Sequence, residues 1–268
     1  PFLGVFGLQA AAAPYANPLI FLFLGGFMLA LGLQRWNLHR RIALMLIVRL
    51  GTRPASLVAS FMAATAVLSM WVSNTATAML MLPIALSVIA VVGDAPDDAG
   101  NESPFAAALL LGVAYGASIG GMATLIGTPP NALLAAFAQE RLGIRIGFAQ
   151  WMAVGVPVAL LLGICTWLML TRVAFRLSRV RAPGAGREIR ASLGEMGRMS
   201  AGERRVATVF VLTAAAWLAQ PLIARLPLLG SVTDTSIALV GGMALFLIPA
   251  GRGAAGRLLS WGEASKLP

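Results

Sequence analysis

The sequence predicts an all-α, polytopic membrane protein with a re-entrant helical hairpin and a broken transmembrane helix. Three observations carry that expectation. Of 268 residues, 59% are hydrophobic and 11% charged, against roughly 25% charge in a soluble domain. The forty residues from Pro54 to Gly93 hold no Asp, Glu, Lys, Arg or His, yet Ser69-Met-Trp-Val-Ser73-Asn74-Thr75-Ala-Thr77 sits at their centre. A second apolar run is interrupted by Gly120-Gly121 and by Ile126-Gly127-Thr128-Pro129-Pro130-Asn131.

The net charge of +10 invites a nucleic-acid reading, but the arginines fall between apolar spans and form no stripe on a soluble domain. The positive-inside rule accounts for them. Seventeen of the twenty basic residues lie in three groups: Arg35 to Arg53, Arg172 to Arg205, and Arg252 to Lys266. Placing those groups on the cytoplasmic side of an inner membrane leaves only Arg141, Arg145 and Arg225 outside. Cys165 stands alone, which excludes a disulfide framework and suggests a small packing residue. The chain opens at Pro1 without a charged leader and closes at Pro268 after an amphipathic stretch. Both ends are expected to be cuts.

Each element follows in order. Residues 18–36 cross outside to inside after the Pro14-Tyr15-Ala16-Asn17-Pro18 turn. His39 to Gly51 has basic and aliphatic faces and is expected along the cytoplasmic interface, with His39 interfacial and not a catalytic base. The run 54–93 is too long for one crossing, and both its ends belong inside. Two crossings or a re-entrant hairpin satisfy that. The uncharged break at Ser73-Asn74-Thr75 favours the hairpin, its tip inside the membrane, where non-helical backbone needs protein or water around it. Residues 103–139 form the next crossing and must unwind near Gly127, because Pro129-Pro130 removes two donors and bars helix at the preceding residue. Gly120-Gly121 reads as a close-packing contact, and Met79 to Met81 as core filling. Residues 148–177 return inward, 178–202 form a polar loop, and 206–225 with 234–250 make a second pair of crossings. Gly251 to Pro268 should follow the inner interface.

Interrupted helices expose backbone dipoles: N-terminal ends offer N–H groups to anions, while C-terminal ends and unwound carbonyls bind cations. The first hairpin arm would end near Ser69 to Val72, and the second would begin at Ser73-Asn74-Thr75, residues that cap helix N-termini. The Gly127-Thr128-Pro129-Pro130 break would add free carbonyls. Such oxygens suit a hard alkali cation, with a carboxylate oxygen beside it at Ser73-Asn74-Thr75. Ser and Thr in membrane helices also bond back to their own helix or join helices. Packing does not explain a pair of breaks that each carry Asn and hydroxyls. The residues thus suggest a transporter. An intramembrane serine hydrolase lacks a base in the long spans, and a channel lacks a ring of pore charges.

Ser69-Met-Trp-Val-Ser73-Asn74-Thr75-Ala-Thr77-Ala and Thr124-Leu-Ile-Gly127-Thr128-Pro129-Pro130-Asn131 resemble the divalent anion/sodium symporters, the sodium-coupled di- and tricarboxylate cotransporters. Tyr15-Ala-Asn-Pro, Leu33-Gln-Arg-Trp36, Asp234-Thr-Ser-Ile-Ala238 and Ser260-Trp-Gly-Glu-Ala264 extend the resemblance over nearly the whole chain. It implies a homodimer in the lipid bilayer that moves a small anionic solute with sodium by an elevator motion, without an organic cofactor or nucleic acid. It implies a sodium site at Ser69, Ser73, Asn74 and Gly127, and a substrate carboxylate at Ser73, Asn74 and Thr75. Residues 1–53 would be scaffold helices with an interfacial helix, 54–177 part of a transport domain, 178–205 an Arg-rich cytoplasmic loop, and 206–268 the start of a second inverted repeat. Family members carry a second Ser-Asn-Thr hairpin, and that triplet occurs here once. An N-terminal-half fragment is therefore expected. A sodium-independent exchanger or a sulfate carrier of the same fold remains open at this point.

Overall fold

A computed structural model of the chain describes residues 17–49, 53–92, 103–177, 185–227, 229–251 and 256–265. Residues 93–102, 178–184 and the chain before Asn17 lie outside that description, as do 50–52, 228, 252–255 and 266–268. The described residues form helices, apart from one isolated bridge between Pro249 and Arg257.

Helix α1 (Pro18–Arg35) opens on a proline whose missing N–H costs nothing there, and the Asn17 side chain accepts from the Leu19 N–H at 2.9 Å. Asn37, in the left-handed region at φ 53°, turns the chain into α2 (Leu38–Arg49). The hairpin arms are α3 (Pro54–Ser69) and α4 (Asn74–Val92). Helix α5 (Pro104–Gly121) is capped by Ser103, and α6 (Pro129–Leu142) ends at Gly143 in the left-handed conformation. Helix α7 (Phe148–Leu168) continues as a π-helical turn, Met169–Ala174. Then come α8 (Ala185–Glu195), α9 (Ala201–Ile223), α10 (Asp234–Leu247) and the single turn α11 (Trp261–Ala264).

Five of these, α1, α4, α5, α7 with its π turn, and α9, are long and apolar enough to cross a bilayer. The chain is a multi-pass membrane protein. Helix α10 is shorter than the expected 234–250: it stops at Leu247 because Pro249 drives Ile248 to an extended ψ of 126°. Two apolar cores organise the helices. One joins α2, α3, α4, α5 and α8 around Leu57, Phe61, Phe105 and Met81. The other joins α1, α9, α10 and the start of α7 around Leu29, Phe148, Trp217 and Leu245, and takes in Val72, Leu125 and Ile126 from the two breaks. Helices α1 and α10 touch backbone to backbone, since a methyl on Gly25 would lie 2.5 Å from the Ala238 carbonyl.

Four expectations need correction. The polar stretch 178–202 contains α8, whose Ile189 is fully buried against the first core. Helix α2 is not amphipathic in the simple sense, because Arg41 is buried and pairs with the buried Glu203 of α9. Its guanidinium also donates to the carbonyls of Gly197 at 2.9 Å and Met196 at 3.2 Å, so every face of the cation is matched. Only Met81 of the methionine pair fills the core, since Met79 is 70% exposed. Cys165 lies on the exposed face of α7 and not on its packed side.

Arg41→Met would strand the Glu203 carboxylate and is expected to cost about 3–5 kcal/mol. The double variant Arg41→Met with Glu203→Leu should recover most of that loss. Thermal unfolding of the detergent-purified full-length protein measures both.

Candidate functional site at two paired helix breaks

Ser69, the last residue of α3, is fully buried, and its hydroxyl donates to Asn74 Oδ1 at 2.6 Å. Asn74 opens α4 and is half-buried. Ser73, exposed, caps α4 by accepting from the Ala76 N–H at 3.3 Å. Thr75 is exposed beside it. The helix interruption expected at this triplet is therefore present, and Ser69 and Asn74 are joined directly.

The second interruption begins earlier than expected. Helix α5 already ends at Gly121, the unwound stretch 122–128 includes the expected Gly127, and α6 resumes at Pro129. The glycines explain the shift. A methyl on Gly120 would lie 2.2 Å from the Ala66 carbonyl oxygen of α3. One on Gly121 would lie 2.4 Å from Asn74 Oδ1 and 2.6 Å from Thr128 Cγ2, and one on Gly127 would lie 2.4 Å from the Gly121 oxygen. No side chain fits between these strands of backbone, so the end of α5 rests against the start of α4. Gly120-Gly121 is the close-packing contact expected of it, and Gly121 is also the residue that touches Asn74.

Buried Asn131, on the first turn of α6, donates to the carbonyls of Gly121 and Thr124 at 2.8 Å each. Buried Thr124 donates its hydroxyl to the Met70 carbonyl of the hairpin tip. The carbonyls of Met70, Gly121 and Thr124 are thus engaged in holding the breaks together, as apolar surroundings demand. Pro129 and Pro130 are exposed and shape the restart of α6, while Thr128 is half-buried beside Gly121. The Thr77 hydroxyl, one turn along α4 from Ser73, is buried without a hydrogen-bond partner among the described residues.

Asn74 and Thr75 line an open cleft of about 490 Å³ between α4 and α5, together with Ser118. Ser118 was not anticipated. Its only signal in the sequence is its place three residues before Gly121, on the helical face that ends at the break. Behind the site, Trp71 of the tip stacks on Phe148 and Trp217 with ring centroids 6.0 and 6.3 Å away and meets Phe210 edge-on at 5.0 Å. This aromatic layer ties the hairpin to α7 and α9.

Chemically, the site is a set of neutral oxygens and amides. Among the described residues no three His, Cys, Asp or Glu side chains come together. His39 lies elsewhere, with Nδ1 3.0 Å from the Leu33 carbonyl. Burial holds its imidazole below the ordinary pKa, with the Leu33 carbonyl opposing and Arg40 reinforcing the shift.

Two facing helix interruptions in a multi-pass helical chain are the structural mark of this site. The chain belongs to the citrate transporter family (CitMHS), whose profile matches residues 1–259, and its motif resemblance to the divalent anion/sodium symporters agrees. It is similar to the sodium-dependent dicarboxylate transporter SdcS of Staphylococcus aureus strain USA300, 41% identical over 97% of this chain and 51% of that protein. The same figures hold for SdcS of strain NCTC 8325. The chain spans about half the length of these curated relatives. The family is one of transporters, and the protein is not an enzyme.

Asn131→Ala would leave the Gly121 carbonyl buried and unpaired, at about 1–3 kcal/mol, while the Thr124 carbonyl keeps the Gly127 N–H at 3.3 Å. Asn131→Leu, which keeps the size but cannot donate, should destabilise by a similar amount. Unfolding midpoints of the full-length variants check this.

Proposed function

We propose that this chain forms one half of a secondary active transporter that moves sodium and a small di- or tricarboxylate together across the inner membrane. The observation that carries the reading is the contact between the two breaks, with the Asn74 carboxamide lodged between Ser69 Oγ and the Gly121 backbone. In this reading sodium, as cargo, is held by Ser69, Ser73, Asn74 and the Gly127 carbonyl, and the substrate carboxylate meets Ser73, Asn74 and Thr75 in the cleft that Ser118 shares. Each charge lowers the cost of holding the other, which is the physical basis of coupling. The sodium-dependent dicarboxylate transporters at 41% identity support the ion and the substrate class.

Residues 54–93 are a re-entrant hairpin and 103–139 a broken crossing in this account. Residues 54–177 then travel as part of a transport domain past scaffold helices drawn from 1–53 and 206–268, in a homodimer, by an elevator motion. The Arg-rich segment 178–205 faces the cytoplasm.

Full-length protein in proteoliposomes is expected to take up labelled succinate with an inward sodium gradient and not with potassium in its place. Asn74→Ala should lower that uptake at least a hundredfold in a variant that inserts and folds normally. Equal uptake by the variant refutes the assigned site, and counterflow without sodium identifies an exchanger instead.

A further inference from the structure

The buried Arg41–Glu203 pair has a consequence on the surface above it. Arg41 bonds the carbonyls of Met196 and Gly197 and so staples two turns to each other. One is the α1–α2 turn with Trp36 and the left-handed Asn37, and the other is the 195–200 turn with the left-handed Gly197. Between them lies a crevice of about 430 Å³, lined by Trp36, Asn37, Arg40, Arg198, Ser200 and the carboxylate of Glu195, with Arg41 and Glu203 at its floor.

The ion pairs given by the described residues are Arg35–Glu263 and Arg41–Glu203. Arg40 and Arg198, one from each wall, therefore have no carboxylate partner among those residues. With Arg41 and Glu203 cancelling, two arginines face one acid and the lining keeps a single positive charge. Two further donors are at hand. Asn37 offers its carboxamide, and Ser200 keeps its hydroxyl proton, because its oxygen caps α9 by accepting from the Glu203 N–H at 3.1 Å.

The level of the crevice matters as much as its charge. It lies where one candidate span ends, at Arg35, and another begins, at Ala201. That is the depth of lipid headgroups. Trp36 stands at the same level with its Nε1 fixed on the Leu258 carbonyl at 2.9 Å, as interfacial indoles do.

We propose that this crevice is a binding site for a singly charged phosphate group, gripped from both sides by Arg40 and Arg198. Guanidinium forks match phosphate oxygens, and basic pockets at the ends of membrane helices bind anionic headgroups. A phosphodiester carries one negative charge, equal and opposite to the charge left over in the lining. The site does not depend on the identity of the transported solute.

The test is thermal unfolding of the purified full-length protein titrated with phosphatidylglycerol, with phosphatidylcholine, or with soluble glycerol 3-phosphate. Phosphatidylglycerol should raise the midpoint saturably and phosphatidylcholine should not. Arg40→Gln with Arg198→Gln should weaken half-saturation at least tenfold. Glu195→Gln, which removes the opposing charge, should tighten it severalfold. Midpoints in phosphatidylcholine report whether the variants fold. If the double variant is unstable there, Glu195→Gln alone decides the matter. Glycerol 3-phosphate acting at the same concentration as the lipid would make the ligand a free phosphate, in support of the site and against a lipid source. A phosphatidylglycerol response unchanged in both the double variant and Glu195→Gln overturns the proposal.

Discussion

The structure depends on one constraint: interrupted backbone in an apolar setting must be satisfied from within. Two helices break, at residues 70–73 and 122–128, and each is closed by side chains on its own flanks, with one hydrogen bond joining the two. Thr124 closes the carbonyl of Met70, Asn131 closes those of Gly121 and Thr124, and Ser69 engages Asn74. Breaks of this kind without those side chains would leave several polar groups unpaired at a cost of kilocalories each. Paired, they become a rigid platform of polar atoms with no formal charge. The glycines at 120, 121 and 127 make the pairing possible, because the backbones approach more closely than any Cβ allows.

In the proposed reading, a site built from neutral oxygens carries no permanent charge of its own, so an ion and an anion entering together would change its net charge little. Fixed carboxylates would instead hold a cation whether or not a solute accompanied it. The family's link to citrate and the relatives' link to sodium and dicarboxylates sit naturally with such a device.

Much of this was legible in the sequence because membrane insertion punishes exceptions. A proline pair or a Ser-Asn-Thr triplet inside an uncharged run stands out, and the helices do break at both. Prolines at 18, 54, 104 and 129 stand at helix starts for the reason local chemistry gives, a missing donor where none is needed. What stayed hidden was long-range or statistically faint. Arg41 and Glu203 are 162 residues apart, and nothing local announces a buried pair. Helix α8 shows only Ile189 and Leu193 as apolar contacts amid arginines and glycines, too few to stand out as a period. Gly121 and Ser118 owe their roles to what α4 brings beside them. The exposure of Met79 and Cys165 follows from which helix faces find neighbours, and hydropathy alone cannot distinguish them.

The Trp71 layer has a mechanical consequence. Phe148 and Trp217 stack nearly parallel, 4.5 Å apart and 16° off plane, and Trp71 lies within 25° of both. Phe210 meets Trp71 edge-on at 5.0 Å, so the flat stack is also held from the side and the hairpin tip keeps its register against α9. The Trp71 and Trp217 indoles therefore form a native optical gauge of any displacement along that seam.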